Sequence, residues 1–203
     1  LLAVIADPQL AVQPKFILGG GSNIVLTGDV KPLVLKIEIM GRRVLQETDK
    51  GTLLEAGAGE NWHQFVAWSL AQGYPGLENL AMIPGTVGAT PVQNIGAYGI
   101  ELQDRFHSLD LVDLHTGTRH TLDAAQCGFG YRDSVFKHAA PEGLAPLAPT
   151  GAVPAAGFGL RDRVVITHVR FLLPKPWKPE LGYADLARKI QETGITTPDA
   201  QQV

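Results

Sequence analysis

Cysteine occurs once in 203 residues, as Cys127, which excludes an internal disulfide and fits a reducing compartment. The thiol sits in AQCGFGY with no base nearby, so it reads as a small core hydrophobe rather than a nucleophile. No apolar run approaches the ~20 residues of a membrane span. The opening LLAVIADPQLAV is short and has no basic lead-in of the kind a leader carries, so a cytoplasmic protein is expected. Basic blocks are also missing. Lys and Arg number 17 against 20 Asp and Glu, a formal charge of −3, so neither nucleic acid nor a membrane surface is expected as partner. None of the six histidines stands at metal-ligand spacing from a cysteine or carboxylate, and no metal is expected. Both common nucleotide motifs are absent too. The glycine loop Gly19-Gly20-Gly21-Ser22-Asn23 lacks the Lys-Ser/Thr of a P-loop, and no G-x-G-x-x-G with a helix behind it occurs there.

What the chain does have is an unusual stretch from Tyr74 to Gly99, YPGLENLAMIPGTVGATPVQNIGAYG. Glu78 is its only charge, and five glycines and three prolines interrupt any helical or strand period. Such a segment brings bare backbone close to something, and its N–H groups can receive an anion without a lysine. The alternative is a connecting loop. Against it stand the length, beyond the ~12–15 residues usual for a structureless loop, and apolar residues such as Leu77, Ile83 and Ile95, too many for disorder. A phosphate-bearing ligand is the expected occupant, and Gly19–Asn23 is a second candidate anion cradle.

Around these segments the pattern alternates between strands and short helices. Leu33 to Met40, Arg42 to Glu47 and Thr52 to Ala56 read as strands. Trp62, Phe65, Val66, Ser69 and Leu70 share one face of a helix that Asn61 or Glu60 caps and Gly73 ends. Ser108–Leu114 and Arg119–Leu122 form a hairpin across Thr116-Gly117, and Asp123 caps a brief helix to Cys127. Arg132 lies in the polar cluster Gly130-Tyr131-Arg132-Asp133-Ser134 between aromatic residues. It either finds a buried acceptor or pairs with Asp133 on a surface turn. The alanine- and proline-rich stretch 139–160 reads as an extended insertion, Arg163 to Leu173 as a strand of the sheet interior, Tyr183 to Ile190 as a helix, and Thr197-Pro198 as the start of another.

In order, GGGSN, AGAGENW, PGLENLAMIPGTVGATPVQNIGAYG and FGYRDSVFK resemble the UDP-N-acetylenolpyruvoylglucosamine reductase family of peptidoglycan synthesis, from about Phe16 onward. The resemblance implies an α+β, two-lobed FAD-binding fold of the vanillyl-alcohol oxidase type with a further substrate domain. It divides the chain into a partial first lobe (1–45), a second lobe with the insertion (46–175), and a linker with the start of the substrate domain (176–203). A chain shortened at both ends is expected, lacking the serine that protonates the intermediate and an assisting glutamate, and inactive by itself. Ser134, inside YRDS, is not that serine.

The same resemblance implies the site. FAD would lie against Gly19, Gly20, Gly21, Ser22 and Asn23, against Ile83, Pro84, Gly85, Thr86, Gly88, Ala89, Gln93, Asn94, Gly96, Ala97 and Tyr98, and against Val165 and Ile166. NADPH would supply the hydride, and UDP-N-acetylglucosamine enolpyruvate would be the substrate of a monomeric enzyme. Arg132 would be catalytic, facing the negative charge that develops beside the accepting carbon. Tyr131 and Tyr183 would bind substrate, although Tyr183 also reads as an ordinary helix start. A non-catalytic FAD-binding remnant and another oxidase of the same flavin fold remain as alternatives.

Overall fold

The computed structural model describes residues 1–140 and 159–203. The insertion expected at 139–160 therefore lies almost wholly outside the described residues; at its margin, Ala139 bridges Arg161.

Two short helices, α1 (Leu2–Ala6) and α2 (Pro8–Ala11), lead in, the second capped by Asp7, which accepts from the N–H groups of Gln9 and Leu10. Strands β1 (Lys15–Leu18) and β2 (Leu33–Lys36) then pair in parallel, Lys15 opposite Leu33 and Leu18 opposite Lys36. The main sheet is antiparallel and five-stranded. It is built from β3 (Arg42–Thr48), β4 (Gly51–Gly57), β7 (Phe106–Asp113), β8 (Arg119–Asp123) and β9 (Val164–Pro174), in the order β3-β4-β9-β7-β8. A small hairpin of β5 (Gly96–Ala97) and β6 (Ile100–Glu101) stands apart from it. β9 takes the centre because VVITHVRFLL is dense in β-branched and large apolar residues that suit a strand flanked on both sides. The main sheet begins at Arg42.

Helix α3 (Trp62–Ala71) covers the sheet. Asn61 caps it by accepting from Gln64 N at 3.0 Å, and Gly73 takes the left-handed φ of +80° that turns the chain away. Trp62, Phe65, Val66 and Ser69 are buried, and both aromatic rings pack on Phe171 of β9 with centroids 5.7 and 5.3 Å apart. The indole N–H of Trp62 donates to Leu80 O at 2.7 Å, fastening the helix to the Gly/Pro-rich stretch. Glu60, the other candidate cap, instead accepts from Gly41 N and Arg42 Nε, both at 2.7 Å, and anchors the start of β3. Helices α4 (Ala124–Cys127), capped by Asp123, and α5 (Ala184–Glu192) complete the elements.

Two expected elements differ. The strand expected to run to Met40 stops at Lys36, because residues 38–40 leave β1 to lie on the glycines that follow β4. Gly59 N donates to Ile39 O at 2.8 Å, and a Cβ at Gly57 would stand 2.3 Å from that same carbonyl. Thr197-Pro198 opens a turn rather than a helix, since the Asp199 carboxylate takes the N–H groups of Gln201 and Gln202 at 2.9 and 3.1 Å, satisfying locally what a helix ladder would otherwise use.

The β7–β8 turn is held by a buried ion pair. Asp113, fully buried, accepts from Arg163 Nη2 at 3.0 Å and from the N–H of His115 at 2.8 Å. Burial pushes the Asp113 carboxyl up, but these partners outweigh it and hold the carboxyl below the usual carboxylate range. A carboxyl lowered in the folded state contributes stability above its unfolded pKa of ~3.9, and that contribution is lost as the pH falls through the lower folded value. Asp113→Asn is expected to cost about 3 kcal/mol at neutral pH by leaving a buried guanidinium short of its partner, and to flatten the acid limb of stability against pH. Urea unfolding over a pH series measures both.

Candidate functional site

The two glycine segments meet. A Cβ at Gly19 would lie 2.9 Å from Thr86 Oγ1, and one at Gly20 would lie 3.2 Å from Gly85 Cα, so the segments come this close only because Gly19 and Gly20 carry no side chain. Thr86 bridges Asn61, while Val87 N and Gly88 N donate to Glu60 O and Ala58 O. The stretch is thus fixed to the loop that opens α3. Between the segments lie two adjoining cavities of about 440 and 280 Å³. The larger is lined by Phe16, Ile17, Gly19, Thr86, Gly88, Ala89, Val92 and Ile166 among others. The smaller is lined by Gly19 to Asn23, Pro84, Thr86, Ala89 and Gln93. Asn23 Nδ2 donates across it to Gln93 Oε1 at 3.3 Å.

Most of the expected cradle residues are brought together in this way. Val165 is not among the lining residues: successive side chains of a strand point to opposite faces, and with Ile166 on the cavity the fully buried Val165 faces away. Asn94 is fully buried inside the wall. It donates to Glu101 Oε2 at 2.8 Å and to Gly130 O at 3.0 Å, and accepts from Gln103 N at 3.0 Å. Its role is to join the Gly/Pro-rich stretch to the turn that carries Arg132.

Arg132 resolves the alternatives left by the sequence. Its guanidinium donates to Gly96 O at 2.6 Å and stands 3.9 Å from Glu101 Oε1 and 5.2 Å from the centre of the Tyr131 ring. Asp133 pairs instead with His138 at 2.9 Å, a hydrogen bond that holds its carboxyl below the usual range. Arg132 has φ +52°, a left-handed value that non-glycine residues adopt where surrounding contacts enforce it. Ser134, buried, supplies such contacts by donating to Val92 O at 2.6 Å and accepting from Phe136 N at 3.2 Å.

The guanidinium opens onto an adjoining cleft of about 1280 Å³ lined by Ile83, Pro84, Gly96, Ala97, Tyr98, Glu101, Tyr131 and Tyr183 among others. Tyr183, the residue before α5, packs edge-on against Tyr98 at 5.6 Å. The approach to α5 is pinned below: Asn79 Nδ2 donates to Tyr98 O at 3.0 Å and Glu180 O at 2.9 Å, and Trp177 Nε1 donates to Glu78 Oε1 at 2.6 Å. Sequence reasoning missed Glu78, Asn79, Glu101 and Lys137 here. Glu78 carried a signal, as the single charge of an uncharged stretch. Cys127 is buried, and desolvation, reinforced by Asp123, pushes its thiol far up, away from nucleophilic use. Among the described residues no cluster of three or more His, Cys, Asp or Glu could hold a metal ion, and no helix is long and apolar enough to cross a membrane.

The FAD binding domain family model matches residues 3–123. The UDP-N-acetylenolpyruvoylglucosamine reductase of Paraburkholderia phytofirmans is 53% identical over 205 aligned positions, covering 100% of this chain and 54% of the relative. That of Burkholderia orbicola is 54% identical over 198 positions, covering 98% and 51%. A solved structure of UDP-N-acetylenolpyruvylglucosamine reductase from Thermus caldophilus superposes with a TM-score of 0.57 at 23% identity, covering 96% of this chain and 61% of that one. At that identity the likeness shows the fold, an α+β FAD-binding fold. The chain spans about half the length of the curated relatives it matches.

The wall between cradle and cleft is tight at Gly96, where a Cβ would stand 2.7 Å from Arg132 Nη1 and 3.1 Å from Ile100 O. Gly96→Ala is expected to cost about 1–3 kcal/mol through overpacking. At Gly28 a Cβ meets nothing within 4 Å, and Gly28→Ala should stay within about 0.5 kcal/mol of wild type. Urea midpoints of the two variants give the comparison.

Proposed function

Because this chain belongs to the FAD binding domain family and has UDP-N-acetylenolpyruvoylglucosamine reductases as relatives along its whole length, we propose that it serves the NADPH-dependent reduction of UDP-N-acetylglucosamine enolpyruvate to UDP-N-acetylmuramate in peptidoglycan synthesis. The observation that carries the reading is Arg132, held at Gly96 O on the wall between a side-chain-poor cradle and an open cleft. The cradle suits FAD: the space a Cβ would fill at Gly19 and Gly20 is taken by the opposing segment, and the smaller cavity is lined by the uncharged Gly19–Asn23 loop while the larger has apolar walls such as Phe16, Ile17 and Ile166. FAD, when bound, supplies the hydride-transfer chemistry, with NADPH as the source of reducing equivalents.

The chain's own residues do the rest. Gly19 to Asn23, with Thr86 across the cavity, would hold the diphosphate by backbone N–H groups. Ile83, Gly96, Ala97 and Tyr98 border the ring side, where small residues allow close approach. Arg132 presents a fixed cation to the substrate carboxylate, where negative charge grows as hydride reaches the neighbouring carbon. A cation positioned in advance stabilises that charge more in the transition state than in the ground state. Tyr131 and Tyr183, both exposed at the cleft, close over the substrate. The reading includes the division 1–45, 46–175 and 176–203, and a monomeric cytoplasmic enzyme.

A second reading, an FAD-binding unit without turnover, is favoured by Ser134. Its hydroxyl proton is given to Val92 O in a buried site, so it does not serve as a proton donor to an intermediate.

The purified chain is expected to carry the visible absorption of bound flavin; a colourless protein that cannot be reconstituted with FAD would sink the cradle assignment. In an enzyme carrying this chain within the full length of its relatives, Arg132→Ala should lower NADPH-linked turnover about 10²–10³-fold, the effect of removing one preorganised charge partner, with flavin content unchanged. Unaltered turnover would end the catalytic role of Arg132. NADPH consumption by the 203-residue chain with the enolpyruvyl substrate decides between the two readings.

A further inference from the structure

Lys137 is the one charged side chain among the described residues lining the smaller cradle cavity, whose other walls are the Gly19–Asn23 loop, Pro84, Thr86 and Gln93. It also borders the larger cavity. Its backbone is fixed, because it ends the short turn Val135–Lys137 that Ser134 caps and the buried Phe136 anchors. Its ammonium donates to Arg132 O at 2.7 Å. An ammonium has three donors in all, so this tether leaves two N–H groups for a ligand and restrains a side chain that would otherwise lose much rotamer freedom on binding.

We propose that Lys137 is a cofactor-binding residue: it supplies the cation for the diphosphate held by Gly19–Asn23, and through the same ammonium links that diphosphate to the backbone of Arg132. The proposal rests on the FAD reading above and sharpens it. Backbone N–H groups offer only partial charges, and a diphosphate placed among them carries full negative charges. A single ammonium on the cavity wall supplies the charge-assisted contact that the uncharged loop lacks. Because its remaining partner is the carbonyl of Arg132, occupation of the cradle also steadies the left-handed turn that aims the guanidinium into the cleft.

The test compares wild-type chain with Lys137→Met and Lys137→Arg. Affinities for FAD and for riboflavin, which has no phosphate, are read from quenching of flavin fluorescence, and ADP binding to the apoprotein from titration calorimetry. Lys137→Met is expected to weaken FAD and ADP binding about ten- to a hundredfold, the range of a charge-assisted hydrogen bond. Riboflavin affinity should be unchanged. Lys137→Arg should recover part of the loss, with a weaker salt dependence in the methionine variant. Equal FAD affinity in wild type and Lys137→Met overturns the proposal, as does an equal loss for FAD and riboflavin. A wild-type chain that binds no FAD overturns the cofactor reading itself, and this proposal with it.

Discussion

Two segments pass so closely that neither Gly19 nor Gly20 has room for a side chain, and the candidate site depends on that approach. Gly19-Gly20 after β1 lies against Gly85-Thr86, with only 2.9 to 3.2 Å available where a Cβ would go. Neither segment could hold this position alone. The first is aligned by the parallel pair β1–β2. The second is bonded to the loop and first residue of α3, Ala58–Trp62, through Trp62 N to Gly85 O, Val87 N to Glu60 O and Gly88 N to Ala58 O. That loop is in turn placed by β4, a strand of the main sheet, and by the aromatic packing of Trp62 and Phe65 on Phe171. Burial of large apolar rings, worth several kcal/mol each, thus fixes where the two glycine segments meet.

The second half of the site is positioned by polar contacts. Asn94 spans the Gly/Pro-rich stretch, the β5–β6 hairpin and the Gly130 turn with three hydrogen bonds. Its φ of +43° is one that asparagine tolerates better than most residues. A buried amide with its bonds made rigidifies, whereas one left without partners would cost about 1–3 kcal/mol per group. Arg132 inherits this rigidity through Gly96 O, Lys137 and the Ser134 cap. Cradle and cleft therefore share one wall.

Much of this was legible in the sequence, for local reasons. The run VVITHVRFLL announces an interior strand, Asn61 and Gly73 bracket a helix whose apolar face repeats at helical period, and Thr116-Gly117 marks a hairpin. The Gly/Pro-rich stretch could be set apart because its composition fits neither a core element nor disorder. What failed were judgements that needed a distant partner. Leu33 to Met40 alternates as a strand should, but residues 38–40 are drawn onto Gly57 and Gly59, which no local pattern reveals. Val165 and Ile166 look alike in sequence, and only their placement on β9 turns one to the cavity and the other away.

The sequence by itself determined most of the elements, their caps and the position of the glycine-rich segments, because propensity, capping and absence of a Cβ are properties of a few consecutive residues. Tertiary structure alone decided which acceptor Arg132 takes, that Asp133 belongs to His138, and that Lys137 enters a cradle whose own loops carry no cation. Those pairings join residues on different segments or across a left-handed turn. Their distances follow from how the five-stranded sheet and α3 bring remote backbone together, and spacing along the chain carries no trace of them.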